Sequence, residues 1–370
     1  MKADVAAGVL ARAVDTVCSV VARRTPTEIL NHLLLTTTAN AITLTATNLD
    51  MMLTARLPAE VMQEGSVTLP ARGLGNAVAK LPPDGVLSLS GSGSESLVEL
   101  RGARTRLAMP SLPPEDFPSF PTDNFSHQFS LPAAELMWLI GAVNAAIGTE
   151  EARLYLCGVY LHAKGDTLCA VAADGLALAE ARLRLPSGAE GMPGVIVPRQ
   201  AVELLARPLK AYKGDATLAL NTNKIQIDLG NIALVSKLID GTFPEYQRVI
   251  PQRHDRALET DRVVFMRAVE LVATLAEDVT KIILVEAEGN SGVVSLDPVR
   301  ASQFAGEVGF DCTHSGRPIR VGLNSRQLSE LVAPIGTRLL VELDGDDAGN
   351  IKLGDAGDQR FLIVMGTTRI

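Results

Sequence analysis

Aromatic residues are scarce in this chain: they make up 4% of 370 residues, with a single tryptophan. That scarcity excludes a stacking platform for unpaired bases, which needs aromatic faces at intervals along a basic groove. Positive charge is not in excess either, since 34 Lys and Arg face 42 Asp and Glu, for a net charge of −8. General attraction of the whole surface to a polyanion is thereby excluded, although positive charge confined to one face is not. The four cysteines (Cys18, Cys157, Cys169 and Cys312) never stand as a C-x-x-C pair. That argues against a disulfide framework or a thiolate zinc site and for reduced thiols in a cytoplasm. The five histidines (His32, His127, His162, His254 and His314) show no paired helical spacing of the kind a zinc site uses. No run of about 18 apolar residues is present, so no membrane-spanning helix is expected. Asp4, Arg12 and Asp15 interrupt the first apolar stretch and speak against a signal peptide.

Signatures of catalysis are missing as well. Gly91-Ser92-Gly93 lacks the third glycine and the βαβ setting of a dinucleotide fingerprint. Asp344-Gly345-Asp346-Asp347-Ala348-Gly349 resembles a calcium loop, but Ala348 fills a ligand position, and a hairpin turn is the better reading. Glu150-Glu151 and Glu115-Asp116 read as charged turns and not as an acid–base pair. No Ser-His-Asp or Cys-His arrangement is legible. The expectation is therefore no catalytic residue, no metal and no cofactor.

What the chain does contain is a repeat. Arg72, Arg199 and Arg326 are equally spaced, and each lies between a short apolar run and a segment with apolar residues at helical spacing. The three passages read VTLPARGLGNAVAKLP, GVIVPRQAVELLARPL and IRVGLNSRQLSELVAPIG. Asp116-Phe117-Pro118 returns as Thr242-Phe243-Pro244. The period is longer than the roughly 20–50 residues of a solenoid unit and matches a whole domain. Three copies follow, 1–124, 125–254 and 255–370, with the 47% apolar content that a packed core requires.

Within the first copy, Leu10, Val14, Val17 and Val21 define one helix face, and Leu74, Val78 and Leu81 a second. HLLLTTT, AITLTAT, MLTARLP and SVTLPA read as strands between them, and VLSLSGS, SLVELRG and RTRLAMP as hairpin strands after Pro82-Pro83-Asp84-Gly85. The proline-rich LPPEDFPSFPTDN is an extended connector. Copy two repeats the order, with Leu136, Leu139, Ile140, Val143 and Ile147 on its first helix and Leu204, Leu205 and Leu209 on its second. Asp174-Gly175 marks a tight turn between two of its strands. Copy three places helices around Phe265–Leu275 and Arg326–Val332 and ends on FLIVMGTTRI. This is an α+β plan, with two helices per copy packed on one face of antiparallel sheet.

Several landmarks together resemble the bacterial DNA polymerase III beta subunit family, the sliding clamps. They are Arg24-Thr25-Pro26-Thr27 with Ile29-Leu30, LPAR at 69–72, Leu112-Pro113 with Asp116-Phe117-Pro118, IVPR at 196–199 and SKLIDGTFPEYQRVIP at 236–251. They run through the whole chain in order. The resemblance implies three similar domains per subunit and a head-to-tail homodimer closed into a ring around duplex DNA. It implies a non-catalytic processivity factor of DNA replication in the cytoplasm, with a polymerase catalytic subunit, an ATP-dependent clamp loader and other proteins bearing clamp-binding motifs as partners. A head-to-tail contact closes when its rotation closes, and sequence-independent phosphate contacts let a ring slide.

By the same resemblance, Arg24, Arg72 and Arg199 face the duplex. Lys80, Arg207 and Lys210, and Lys213 beside them, join them from the ends of the second helices, where the same charges also serve as solvated helix ends. A peptide pocket is implied at Leu156, Ala173, Gly175, Leu176, Ala177, Leu178, Pro244, Arg248, Val249, Ile363, Val364, Met365 and Gly366. Leu107 and Met109 are expected to meet Ala273, Thr274 and Leu275 of a second subunit. The chain departs from the family in reading Ala173-Asp174-Gly175-Leu176-Ala177-Leu178-Ala179 where the family has T-D-G-H-R-L-A. It also ends Met365-Gly366-Thr367-Thr368-Arg369-Ile370 and carries Glu28 in place of a proline. An altered peptide preference follows. The small Ala273 and Thr274, with Glu150, also suit a second reading: a clamp-fold paralogue acting as a protein-interaction module with weak or no ring closure.

Overall fold

The computed structural model describes every residue except 23, 92–96, 277–280, 297–304, 345–348 and 369–370. Among the described residues six α-helices fall into three pairs: α1 (Ala7–Cys18) with α2 (Ala71–Val78), α3 (Ala133–Val143) with α4 (Arg199–Ala211), and α5 (Arg262–Ala273) with α6 (Ser325–Val332). Each of the six follows directly on a strand. Lys2–Ala6, His127–Pro132 and Arg256–Asp261 feed the first helices, and Gly65–Pro70, Val195–Pro198 and Ile319–Asn324 the second. The strands before the first helices are not separately legible in sequence, because no turn residue parts them from the helix.

The first helices share one capping device. The leading N–H of a helix has no intrahelical acceptor, and here a turn carbonyl from the same repeat supplies it. Ala7 N–H donates to Gly85 O at 2.7 Å, Ala133 N–H to Gly214 O at 3.1 Å and Arg262 N–H to Thr337 O at 2.8 Å. In the first repeat Gly8 N–H also donates to Pro83 O at 2.9 Å, and a Cβ on Gly8 would lie 2.9 Å from that oxygen, so the close approach needs glycine. Asp261 adds a side-chain cap to α5, accepting from Val263 and Val264 N–H at 2.8 and 3.0 Å. The helices end earlier than the apolar spacing predicts, since Val21, Leu81 and Ile147 lie beyond them. Their N–H groups bond three residues back, to Cys18, Val78 and Asn144, in the tighter geometry of a final turn.

The chain folds as two compact units, and the middle third contributes to both. Met1–Leu136, Pro186–Met192 and Glu203–Leu238 hold a five-stranded and an eight-stranded antiparallel sheet. In the five-stranded sheet Thr105–Pro110 is an edge. Helix α1 turns Leu10, Val14 and Val17 inward. Met137–Leu185, Pro193–Val202 and Ile239–Ile370 hold a twelve-stranded antiparallel sheet. Helix α5 buries Phe265, Val269 and Val272 there, with Phe265 edge-on to Phe310 at 5.1 Å between ring centres. The turn read at 344–349 falls largely outside the described residues, as does Ser92-Gly93. The strands flanking the former, Arg338–Leu343 and Asn350–Asp355, pair antiparallel.

Candidate functional site

The second unit carries an apolar groove of about 230 Å³. Its floor is a cross-strand row. Ala173 stands opposite Leu178, and Leu178 opposite Val364, so three neighbouring strands present one side chain each to the same face. Strand alternation decides which residues of 363–366 take part. Val364 faces the groove, while Ile363 and Met365 turn to the other face, where they are fully buried. Leu156, Gly175, Leu176 and Ala177 extend the lining, and Pro244 and Val249 belong to the opposite wall. Arg248 and Gly366 do not line it. Arg248 points outward in an ion pair with Glu245, and Gly366 N–H donates to Leu176 O at 3.1 Å, holding the turn from behind.

The mouth is shaped by the Asp174-Gly175 turn. Asp174 Oδ1 accepts from Leu176 and Ala177 N–H, both at 2.7 Å, and its Oδ2 from Gln327 of α6 at 3.0 Å. Gly175 has φ +96°, and a Cβ there would fall 2.6 Å from Arg153 Nη1. Arg153 is itself held by Glu150, with Nε to Oε2 at 2.7 Å, and this carboxylate raises the guanidinium pKa further. Leu176 is left 74% exposed, an apolar side chain offered to solvent at the groove's edge. Sequence reasoning missed Phe243, Glu245, Tyr246 and Asn350 in the lining, and Arg153 beside it. The first three lie inside the landmark segment 236–251, so position was the available signal. For Asn350 there was none.

Behind the groove lies a buried polar group of side chains. Tyr246 donates its hydroxyl to Glu180 at 3.0 Å, His162 Nε2 lies 3.1 Å from the same hydroxyl, and Arg182 donates to the other oxygen of Glu180 at 2.6 Å. Burial raises the Tyr246 phenol, and it pushes the nearby Cys169 thiol up to about 11. Burial also holds His162 below the ordinary 6.5, as it does His32, which meets Thr68 Oγ1 at 3.2 Å. Because the folded imidazoles resist protonation, the unfolded chain takes up their protons first as the pH falls. Stability is therefore expected to decline below about pH 6.5, by at most about 1.4 kcal/mol per pH unit for each histidine. Urea midpoints at pH 7 and pH 5.5 check this, and equal midpoints would refute it.

The basic residues singled out by sequence occupy helices and loops of the first two repeats. Arg72 sits in the first turn of α2, and Arg199 opens α4. Arg24 and Lys80 are exposed, the latter just past α2. Lys210 is exposed in the last turn of α4. Arg207 forms an ion pair with Asp15 of α1, so part of its charge is already matched. Leu107 and Met109 lie half-buried on the edge strand Thr105–Pro110. Ala273 ends α5, with Thr274 and Leu275 following, and Leu271 of the same helix is 59% exposed.

The repeated strand–helix units on antiparallel sheet, with an apolar groove beside them, have the architecture of the sliding-clamp fold. Profiles of the DNA polymerase III beta subunit match in two places, the N-terminal domain over residues 1–121 and the central domain over 130–245. The chain is 35% identical over 339 residues to the beta sliding clamp of Caulobacter vibrioides, covering 90% of this chain and 91% of that one. To the beta sliding clamp of Escherichia coli it is 28% identical, over 92% of each. Among solved structures, the sliding clamp of Bartonella birtlesii bound to griselimycin superimposes with a TM-score of 0.94 at 32% identity, covering 100% of both chains. A Caulobacter crescentus beta sliding clamp, with polyethylene glycol bound to its putative beta-motif tethering region, gives 0.93 at 32% identity, covering 100% and 99%. The chain belongs to the bacterial DNA polymerase III beta subunit family.

Proposed function

We propose that this protein is a non-catalytic DNA sliding clamp: a head-to-tail homodimer of three-domain subunits that encircles duplex DNA and tethers the replicative polymerase. The observation that supports this most is agreement in fold over the whole chain, because a topological function resides in the fold and not in one reactive side chain. The domains run 1–124, 125–254 and 255–370. An ATP-dependent loader opens the ring onto DNA in the cytoplasm. The polymerase catalytic subunit and other motif-bearing proteins insert apolar peptide anchors between the Ala173–Leu178–Val364 row and the Phe243–Val249 wall. Tethering keeps the effective concentration of polymerase at the primer end high, so each dissociation is followed by recapture. The test is retention on nicked circular DNA after loading. Clamps lost on linearisation and kept on circles support the reading, and a monomer never retained would move the function to protein binding alone.

The duplex is held through phosphate contacts from Arg24, Arg72, Lys80, Arg199, Arg207 and Lys210. Replacing Lys80 and Lys210 together by alanine is expected to flatten the dependence of DNA affinity on salt, by about 0.9 in the log–log slope for each phosphate no longer neutralised. Arg207→Ala should change that slope less, because Asp15 already engages its guanidinium. Binding isotherms at several salt concentrations measure both, and an unchanged slope in the double variant would show that these lysines do not touch the duplex.

A further inference from the structure

The segment that walls the groove has almost no backbone tie to the sheet beneath it. From Gly241 to Pro251 it joins no strand ladder, and its backbone bonds are local, as from Tyr246 N–H to Pro244 O at 2.7 Å and from Arg248 to Glu245 at 3.2 Å. Side chains place it instead. Phe243 stacks face to face on Tyr160, 4.9 Å between ring centres and 4° from parallel, and Tyr160 stacks on His162 at 4.6 Å. Tyr246, 4% exposed, passes its hydroxyl to Glu180, which is 1% exposed.

Arg182 and the Tyr246 hydroxyl both donate to Glu180, so each carboxylate oxygen is occupied. With its own proton committed to Glu180, the Tyr246 oxygen turns a lone pair toward His162 Nε2, 3.1 Å away, while His162 Nδ1 lies 3.4 Å from the Ala163 carbonyl oxygen. A carboxylate this deeply buried is retained only where its acceptor sites are filled. Here they are filled by one residue of the sheet and one of the wall.

We infer that Glu180 and His162 are positioning residues for the peptide groove, holding the Tyr246 hydroxyl and through it the 243–249 wall at the spacing that accepts an apolar anchor. The inference rests on the groove reading for its function but not for its geometry. A wall fixed before binding spares the partner peptide the cost of ordering it, so loosening the wall weakens capture even though every atom that touches the peptide is still present.

The test uses the full-length chain, with Tyr246→Phe, Glu180→Leu and Glu180→Gln. A fluorescent pentapeptide with leucine and phenylalanine anchors reports affinity, and hydrogen exchange of the 243–249 amides reports the wall without any peptide. Tyr246→Phe keeps the ring and is expected to bind about tenfold more weakly and to exchange about tenfold faster in the wall. Glu180→Gln keeps one acceptor for the hydroxyl but sets its amide NH2 against the Arg182 guanidinium, so it should weaken both readings by less than Glu180→Leu, which removes both acceptors. Combining Tyr246→Phe with Glu180→Leu should cost no more than the worse single change, since both break one network. Unchanged wall exchange and affinity in a folded Tyr246→Phe protein overturn the inference. An unsubstituted chain that ignores the peptide overturns the groove reading instead, and wall exchange then decides the positioning role alone.

Discussion

Replacing Val249 by aspartate is expected to abolish peptide capture while leaving the clamp folded and dimeric. Val249 ends the short helical turn Tyr246–Val249, lines the groove and is 47% exposed, so a carboxylate there stays hydrated in the free protein. Filling the groove with a leucine or phenylalanine side chain strips that hydration against Leu176, Leu178 and Val364, which offer no hydrogen bond. Desolvating an unpaired charge costs several kcal/mol, so affinity should fall by about a hundredfold or more. Leu178→Asp would not make the same test. Leu178 is 4% exposed and belongs to the cluster with Val171, Ile196 and Phe243, so charging it would damage the core as well. Peptide titration gives the affinity, and primer extension gives its consequence. Products should shorten to those of the polymerase alone, while sedimentation shows a dimer of undiminished strength. Ordinary affinity in this variant would place the peptide elsewhere.

The second large effect is expected at the proposed subunit junction. Leu271 stands in the last turn of α5 and Leu275 just beyond its end, 59% and 37% exposed, so two apolar side chains are offered to solvent there. Leu271 was not among the residues expected from sequence. It supplies apolar area that the small Ala273 and Thr274 do not. A ring of two subunits has two identical junctions, so one substitution acts twice. If Leu271→Asp costs roughly 2 kcal/mol at each junction, the dimer constant falls by about a thousandfold. Sedimentation at micromolar concentration should then show monomer, and retention on circular DNA should vanish even though each subunit is folded. A dimer of undiminished strength would take α5 out of the junction.

How far the sequence carried these conclusions differs between element and site. The apolar spacing at Leu10, Val14 and Val17 and at Leu74 and Val78 is a local property and was visible directly. So was the alternation in Ala41–Thr47 and Met51–Pro58, and the turn at Asp174-Gly175. The helix ends were set too late because Val21, Leu81 and Ile147 keep the apolar spacing while their backbone tightens into a final short turn, a choice made by the chain that follows. The strands before α1, α3 and α5 were hidden because they run into the helix without turn residues between.

The groove was legible in part, and the division follows the pleat. Ala173, Leu178 and Val364 were named from family positions, and the structure sets them in one row. Ile363 and Met365, named with them, face away, because neighbouring residues of a strand point to opposite sides. Phe243 and Tyr246 were marked only by their place in the segment 236–251, since nothing local separates a groove aromatic from a core one. The pairing of Glu180 with Tyr246 joins residues 66 positions apart in the chain. No periodicity records such a pairing.

The sequence by itself determined the repeat, the class of most elements and the kind of protein this is. These follow from the spacing of apolar residues, from proline and glycine placement and from motifs read along the chain. Only the tertiary structure decided which side chains share a face, which charges are matched, as Arg207 is by Asp15, and what holds the wall beside the groove. Those depend on register between strands distant in sequence and on the burial that register creates, and both arise only once the sheets have formed.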